Sequence, residues 1–235
     1  MITPAPFIAE GNVAFKNKTK VVLGVASEAT QIFYSLDASK YLIYDTPFIL
    51  SEDTTLKTYA EKDGIKSAPI TTQFYKINPN LSIELETEYA NQYNAGGENA
   101  LIDGIRGTRD FRTGAWQGYE NKDVIAIVDL GSIKPIENIT INFLQDQGSW
   151  IFYPTEVQCA VGVDNISYDN FPTQKIKAAV RSSEVALKSI EFNSKGKSAR
   201  YIKIVAKNLG PLPSWHLGAP FNGAAWIFID EIDVK

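Results

Sequence analysis

Short runs of β-branched and aromatic residues, cut off by glycine, proline, asparagine or aspartate, recur along the whole of this 235-residue chain. Helical spacing of apolar residues is weak everywhere, so the chain reads as all-β. Strands are expected near 20–25 (KVVLGV), 31–36 (QIFYSL), 54–60 (TTLKTYA) and 68–77 (APITTQFYKI). More are expected near 123–130, 136–144, 155–162, 185–192, 199–206 and 226–234. In ARYIKIVA, Tyr201, Lys203 and Val205 alternate with Ile202, Ile204 and Ala206, as a half-buried strand requires. One short helical turn is expected at NALIDG, residues 99–104. Asn78-Pro79-Asn80 interrupts the pattern, because the residue before a proline is pushed away from regular helical structure. The expected organisation is therefore two β-sandwich domains, 1–78 and 79–235.

Composition narrows the partners. Net charge is −4, so there is no basic surplus for phosphate contacts and nucleic acid is excluded as a partner. No apolar run is long enough to span a bilayer, so no membrane insertion is expected. A single cysteine, Cys159, forbids an internal disulfide. The opening MITPAPFIAEG lacks the basic and apolar regions of a signal peptide. It reads as a cut point in a longer protein, with Met1 added for expression.

Four segments of the second domain carry a resemblance: ENALIDGIRGTRDFRTGAWQGY (98–119), IAIVDLGSIKPIENITINF (125–143), PTEVQCAVGVDNISYDNF (154–171) and ARYIKIVAKN (199–208). An Asp-Gly turn, a tryptophan downstream, a strand ending Asp-Leu-Gly and a late Arg-Tyr-hydrophobic strand follow one another. The order resembles the discoidin-like family, also called coagulation factor five/eight type C, to which family 32 carbohydrate-binding modules belong. Gly162-Val163-Asp164-Asn165 departs from the family's Ser-x-Asp-Gly turn, and Asn165 is expected to take the left-handed position that glycine would fill. Residues 31–77 resemble the small immunoglobulin-like C-terminal domain of chitobiases. They carry the turn Tyr34-Ser35-Leu36-Asp37-Ala38, then Tyr44-Asp45-Thr46-Pro47, then Thr54 to Ala60. The pairing resembles the C-terminal region of bacterial β-N-acetylhexosaminidases of glycoside hydrolase family 20. It implies an immunoglobulin-like domain followed by a discoidin-like jelly-roll sandwich.

The segment PLPSWHLGAPFNGAAWIFIDEI (211–232) concentrates the chemistry. Asp230-Glu231 looks like the acid pair of a hexosaminidase, but a catalytic barrel needs at least ~200 residues of alternating strands and helices. The pair reads instead as the end of a closing strand in which Trp226, Phe228 and Asp230 alternate with Ile227, Ile229 and Glu231. The resemblance implies one structural calcium ion at the Asp-Gly turn. Its ligands would be Asp103, the carbonyls of Ala100 and Arg106, Thr108 or Thr113, and Glu231, an all-oxygen shell suited to a hard cation.

A sugar needs an aromatic platform for its C–H face and polar groups for its hydroxyls. Trp215 and His216, in the long loop 209–224, are the first candidates, with Trp150 beside them. Gln145, Asp146 and Asn208 are candidate polar partners, with Arg109 and Arg112 of the RGTRDFRTG loop as further candidates. Trp116 and Trp226 read as core residues. The expected function is non-catalytic. The chain would be an accessory region of a periplasmic, cell-surface or secreted hydrolase, binding an N-acetylhexosamine- or galactose-containing glycan and docking on its parent catalytic domain. The competing expectations are purely structural modules without sugar affinity, and a hydrolase in its own right.

Overall fold

The computed structural model describes residues 2–37, 40–177 and 180–235. Met1 and Ala38, both invoked above, lie outside the described residues. The chain divides into two compact units, Met1–Pro79 and Asn80–Lys235.

The first unit holds β1 (Phe7–Glu10), β2 (Ala14–Phe15), β3 (Thr19–Gly24), β4 (Gln31–Ser35), β5 (Leu42–Ile43), β6 (Phe48–Leu50), β7 (Thr54–Lys62), β8 (Ile65–Lys66) and β9 (Ile70–Lys76). One sheet runs β1-β3-β6 and the other β2-β9-β7-β4-β5, with β8 on β7. Val21, Leu23 and Leu50 of the first sheet share a core with Phe15, Ile32, Leu56 and Phe74 of the second. Two sheets closing on one apolar layer make a β-sandwich.

The second unit holds β10 (Ser82–Leu85), β11 (Gln117–Glu120), β12 (Val124–Gln145), β13 (Glu156–Gly162), β14 (Asp169–Asn170), β15 (Gln174–Lys175), β16 (Ala186–Lys207) and β17 (Trp226–Val234). Its organising pair is β12 with β16. Each is 22 residues long and replaces two shorter strands expected from the sequence. The N-terminal half of β12 pairs with β10, and its C-terminal half with β17. The C-terminal half of β16 pairs with β13. The two long strands thus serve both layers of the sandwich and turn a corner between them. Register shifts between Asp129 and Lys134 and between Ile136 and Asn138 mark that corner, as expected where strands pass between sheets. Gly131, with φ +79°, sits there, and any side chain on it would lie 2.7 Å from the Asn80 carbonyl oxygen.

The motifs of the sequence pin the corner. Asp129, of the Asp-Leu-Gly run, accepts Arg200 Nε at 2.7 Å and Nη2 at 2.8 Å, and also the Gly131 N–H. Across the layers, Val128, Ile202, Ile204 and Val157 meet Ile139, Ile141, Phe143 and Ile229 in one core. The turn after β13 survives by a different route from the expected one. Asn165 is not left-handed; the Asp164 carboxylate accepts the Ile166 and Ser167 N–H groups instead. The helical turn at NALIDG is a 3-10 turn, Ala100–Ile102, with all three residues buried.

The closing strand does not alternate as expected. Between Ile141–Ile232 and Phe143–Ile229 the register slips by one residue. Asp230 and Glu231 therefore stand together opposite Asn142, a β-bulge, while Ile229 and Ile232 both enter the core. A bulge re-aims side chains that alternation would have placed on opposite faces. Here it keeps two carboxylates out of the apolar layer.

Candidate functional site: a loop cleft and a carboxylate nest

The long loop after β16 closes on a neck. Leu212 N–H reaches the Gly223 carbonyl at 3.0 Å, and Ala225 N–H reaches that of Gly210 at 2.8 Å. Asn208 ties the neck to the sandwich. Its Nδ2 donates to the Lys122 and Ala225 carbonyls, both at 3.1 Å, and its Oδ1 accepts the Gly210 N–H. The expected sugar contact at Asn208 is thereby corrected: its amide is engaged with backbone, because three chain segments converge there.

His216 lines the cleft, but its polar atoms are likewise engaged. It is 8% exposed. Gly218 N–H can only donate, so Nδ1 accepts it at 3.1 Å. The proton then sits on Nε2, which donates to the Gln147 carbonyl at 2.7 Å. Both ring nitrogens hold the loop against the segment after β12. Only the carbon edge of the ring is left for the cleft.

Trp150 stands in that neighbouring segment, at φ +67°, where a non-glycine residue is uncommon. Ile151 turns back to exchange both backbone hydrogen bonds with Asp146, each at 3.0 Å. The Trp150 indole lies over Gly218 and Gly223. A side chain on either would come within 2.8 Å of the ring, so the close approach of loop to indole requires glycine at both. Trp215 packs on Phe152 and His216 at ring distances of 6.2 and 5.9 Å. Both tryptophans are half-buried.

Between them opens a cleft of about 670 Å³, inside the roughly 300–1,000 Å³ range of small-ligand sites. Trp150, Trp215 and Leu217 supply its apolar surface, and Asp146, Arg181, Ser182 and Ser183 its polar groups. Sequence reasoning missed Arg181, Ser182, Ser183 and the buried Gln147. Gln147 is what brings them in: its Nε2 donates to the Val180 carbonyl and its Oε1 accepts the Ser182 N–H at 2.7 Å. The polar run RSSE directly before β16 was the available signal. Gln145 ends β12 opposite Ala186 and lies outside the cleft. Arg109 lies in an adjoining cleft with Arg112, Phe111 and Ser149, which shares Asp146 with the first. The structure therefore joins Trp150, Trp215, His216 and Asp146, and places Arg109 one cleft away. Trp116 is fully buried and Trp226 is half-buried against Tyr93 and Phe228.

The second arrangement lies under the Asp-Gly turn. Gly104, at φ +81°, lets the chain fold back so that its N–H donates to Glu231 Oε2 at 2.9 Å. Gly107 N–H donates to Asp230 Oδ2 at 2.8 Å. Ile105 N–H donates to Asp103 Oδ1 at 2.8 Å. Three buried carboxylates are thus met by neutral peptide donors. Desolvation, then repulsion from Asp103, lifts Glu231 from its ordinary 4.5 to about 8. Desolvation lifts Asp103 from 3.8 to about 7, with Asp230 adding to it. Asp230 is raised too, again chiefly by burial. Arg106 pairs with Asp233 and offsets the rise of Asp230 and Glu231 only in part.

The oxygen-rich character of this nest fits a hard cation. Among the described residues, no three His, Cys, Asp or Glu side chains form a ready metal shell. A cation would therefore draw on Asp103, Glu231 and backbone carbonyls such as those of Ala100 and Arg106. The Thr108 and Thr113 hydroxyls both donate to the Asp110 carbonyl and shape the loop.

The F5/8 type C domain model matches residues 82–225, and the chain belongs to that family. No curated protein matches the chain. Among solved structures, the C-terminal domain of a chitobiase from Bacteroides fragilis is similar at 22% identity and TM-score 0.43, covering 66% of this chain and 93% of that one. CpGH89CBM32-5 from Clostridium perfringens, in complex with GalNAc-β-1,3-galactose, is similar at 19% identity and TM-score 0.42, covering 66% and 94%. The family 32 module of C. perfringens NanJ in complex with galactose gives 17% and 0.41, covering 66% and 93%. Among the described residues, no helix is long and apolar enough to cross a membrane.

Proposed function

We propose that the second unit is a glycan-binding module and that the cleft between Trp150 and Trp215 is where it binds. One observation carries the reading. Two half-buried indoles, Trp150 held over Gly218 and Gly223 and Trp215 packed on Phe152 and His216, flank a cleft whose other residues include a carboxylate, a guanidinium and two serines. Indole faces cover sugar C–H groups, while Asp146 accepts and Arg181 donates hydrogen bonds to hydroxyls. Membership in the F5/8 type C family supports this chemistry. A calcium ion held by Asp103, Glu231 and neighbouring carbonyls would set the Asp-Gly turn without touching the sugar.

In the finer reading, the two units are an accessory region of a glycoside hydrolase, a β-N-acetylhexosaminidase, working in the periplasm, at the cell surface or outside the cell. The motif pairing seen in the sequence supports that parent. The module would raise the local concentration of the catalytic domain at its glycan. Titration with galactose, N-acetylgalactosamine and N-acetylglucosamine, read by tryptophan fluorescence, tests the binding. Saturable binding by one of them is expected; none at millimolar concentration, with the fold intact, would leave only a structural role.

A further inference from the structure

The cleft beside the loop cleft has a volume of about 440 Å³. The same two stretches of chain wall both. After β12, Gln147, Gly148 and Trp150 line the loop cleft and Ser149 lines its neighbour, while Asp146 lines both. Before β16, Arg181, Ser182 and Ser183 line the loop cleft and Val185 lines the neighbour. The rest of the neighbouring cleft is built by residues 109–112.

Asp146 is fixed on the boundary. It exchanges backbone hydrogen bonds with Ile151, and its Oδ2 accepts Ser149 Oγ at 2.8 Å. Its Oδ1 lies toward Gly148, where a side chain would start 3.5 Å away. One carboxylate oxygen is therefore beside a lining residue of each cleft. Asp110 and Arg112 neutralise each other, with Nε donating to Oδ1 at 2.7 Å and Nη2 to Oδ2 at 3.0 Å. Arg109 and Arg181 are exposed, one in each cleft, and neither guanidinium has a hydrogen-bond or ion-pair partner among the described residues. The charged groups left open are thus a shared acceptor, Asp146, and one guanidinium of several donors in each cleft. Phe111 and Val185, both half-buried, give the neighbouring cleft its apolar surface.

We infer that the neighbouring cleft is a subsite for the next sugar unit of a glycan whose first unit lies between Trp150 and Trp215. The ligand class is then an oligosaccharide of two or more units rather than a lone monosaccharide. This rests on the loop cleft being a glycan site. Successive units of a glycan repeat the same mixture of hydroxyls and C–H faces. The two clefts repeat the same mixture of carboxylate, guanidinium and apolar side chains. The shared carboxylate suits the junction between units, since hydroxyls of both can donate to it, one at each oxygen. Arg109 then donates to the second unit as Arg181 does to the first. The Asp110–Arg112 pair shapes the loop and leaves Arg109 as its recognition group.

The test is a calorimetric titration of the whole chain with three matched pairs of sugars. These are galactose and lactose, N-acetylglucosamine and N,N′-diacetylchitobiose, and N-acetylgalactosamine and GalNAc-β-1,3-galactose. At least one disaccharide should bind about tenfold more tightly than its terminal monosaccharide, the gain that one or two added hydrogen bonds confer. In Arg109→Ala that ratio should fall to about one. Arg109 is exposed, so the variant keeps the fold. Disaccharides that bind no more tightly than their monosaccharides overturn the subsite and leave the loop cleft standing as a glycan site. A gain that survives in Arg109→Ala overturns the subsite as well. Binding by none of the six sugars at millimolar concentration overturns the loop-cleft reading and the subsite with it. The wild-type ratio decides even where the variant fails to fold.

Discussion

The loop cleft and the carboxylate nest lie at opposite ends of one stretch of sequence, Pro211–Ile232, and treat their polar atoms in opposite ways. At the loop, His216 and Asn208 have their polar atoms engaged by backbone, and the ligand surface is left to indoles and to residues from elsewhere in the chain. At the nest, Asp103, Asp230 and Glu231 are buried beside one another and met by neutral hydrogen-bond donors alone, and Asp103 and Glu231 rise to about 7 and about 8. Polar groups that are satisfied internally hold a shape. Polar groups left short mark where something else completes the structure.

The largest expected effect comes at the nest. A side chain on Gly107 would stand 2.1 Å from Trp116 Cε2, against a tryptophan that is fully buried. Gly107→Ala should cost about 3 kcal/mol and lower the melting temperature by roughly 10 °C in calorimetry. Sugar binding by whatever remains folded should be unchanged.

Next is the dependence on pH. With calcium chelated, the folded chain keeps protons on Asp103 and Glu231 that the unfolded chain has released above 3.8 and 4.5. Stability is then fullest near and below those ordinary values and falls as pH rises toward about 7 and about 8. Thermal melts with chelator should show this decline. Saturating calcium should flatten it and add a few degrees at pH 8, roughly 5 °C if the ion stands a hundredfold above its dissociation constant. Asp103→Ala should remove the response to calcium.

The loop is broken more gently. Gly218→Ala pushes on Leu212 and the Trp150 indole at 2.7 and 2.8 Å. It should cost about 1–2 kcal/mol in stability and weaken sugar binding, with the calcium response untouched. Smallest in stability is Arg181→Ala. Arg181 is exposed, so the melting temperature should stay within about 1 °C while sugar affinity in calorimetric titration drops roughly tenfold.

The fold was legible where a run of apolar and β-branched residues is cleanly bounded by turn residues. The strands at 155–162 and 226–234 appear within a residue as β13 and β17 on that ground. The corner in β12 and β16 was not legible as continuous strand. Gly131, Pro135 and Gly196 look like breaks in a sequence, but in a sandwich they bend a strand from one layer to the next. The bulge at Asp230-Glu231 was hidden for a similar reason: only the partner strand reveals the slip. At the candidate site, Trp150 and Trp215 stood out by residue type. His216 and Asn208 looked equally suited to a sugar, and only their partners reveal that backbone already holds them. Arg181, Ser182 and Ser183 are distant in sequence from both tryptophans and arrive through Gln147, a contact no local pattern announces.

The most direct measurement is the titration of wild type and Trp215→Ala with galactose and the two N-acetylhexosamines, with melting temperature recorded for both. Trp215 is half-buried in the loop, so its loss should leave the sandwich folded. The expected result is saturable binding in the wild type and at least about a tenfold loss of affinity at the loop cleft in Trp215→Ala. Indole signals of Trp150 that respond to sugar identically in both proteins would contradict the assignment of the loop cleft as a glycan site.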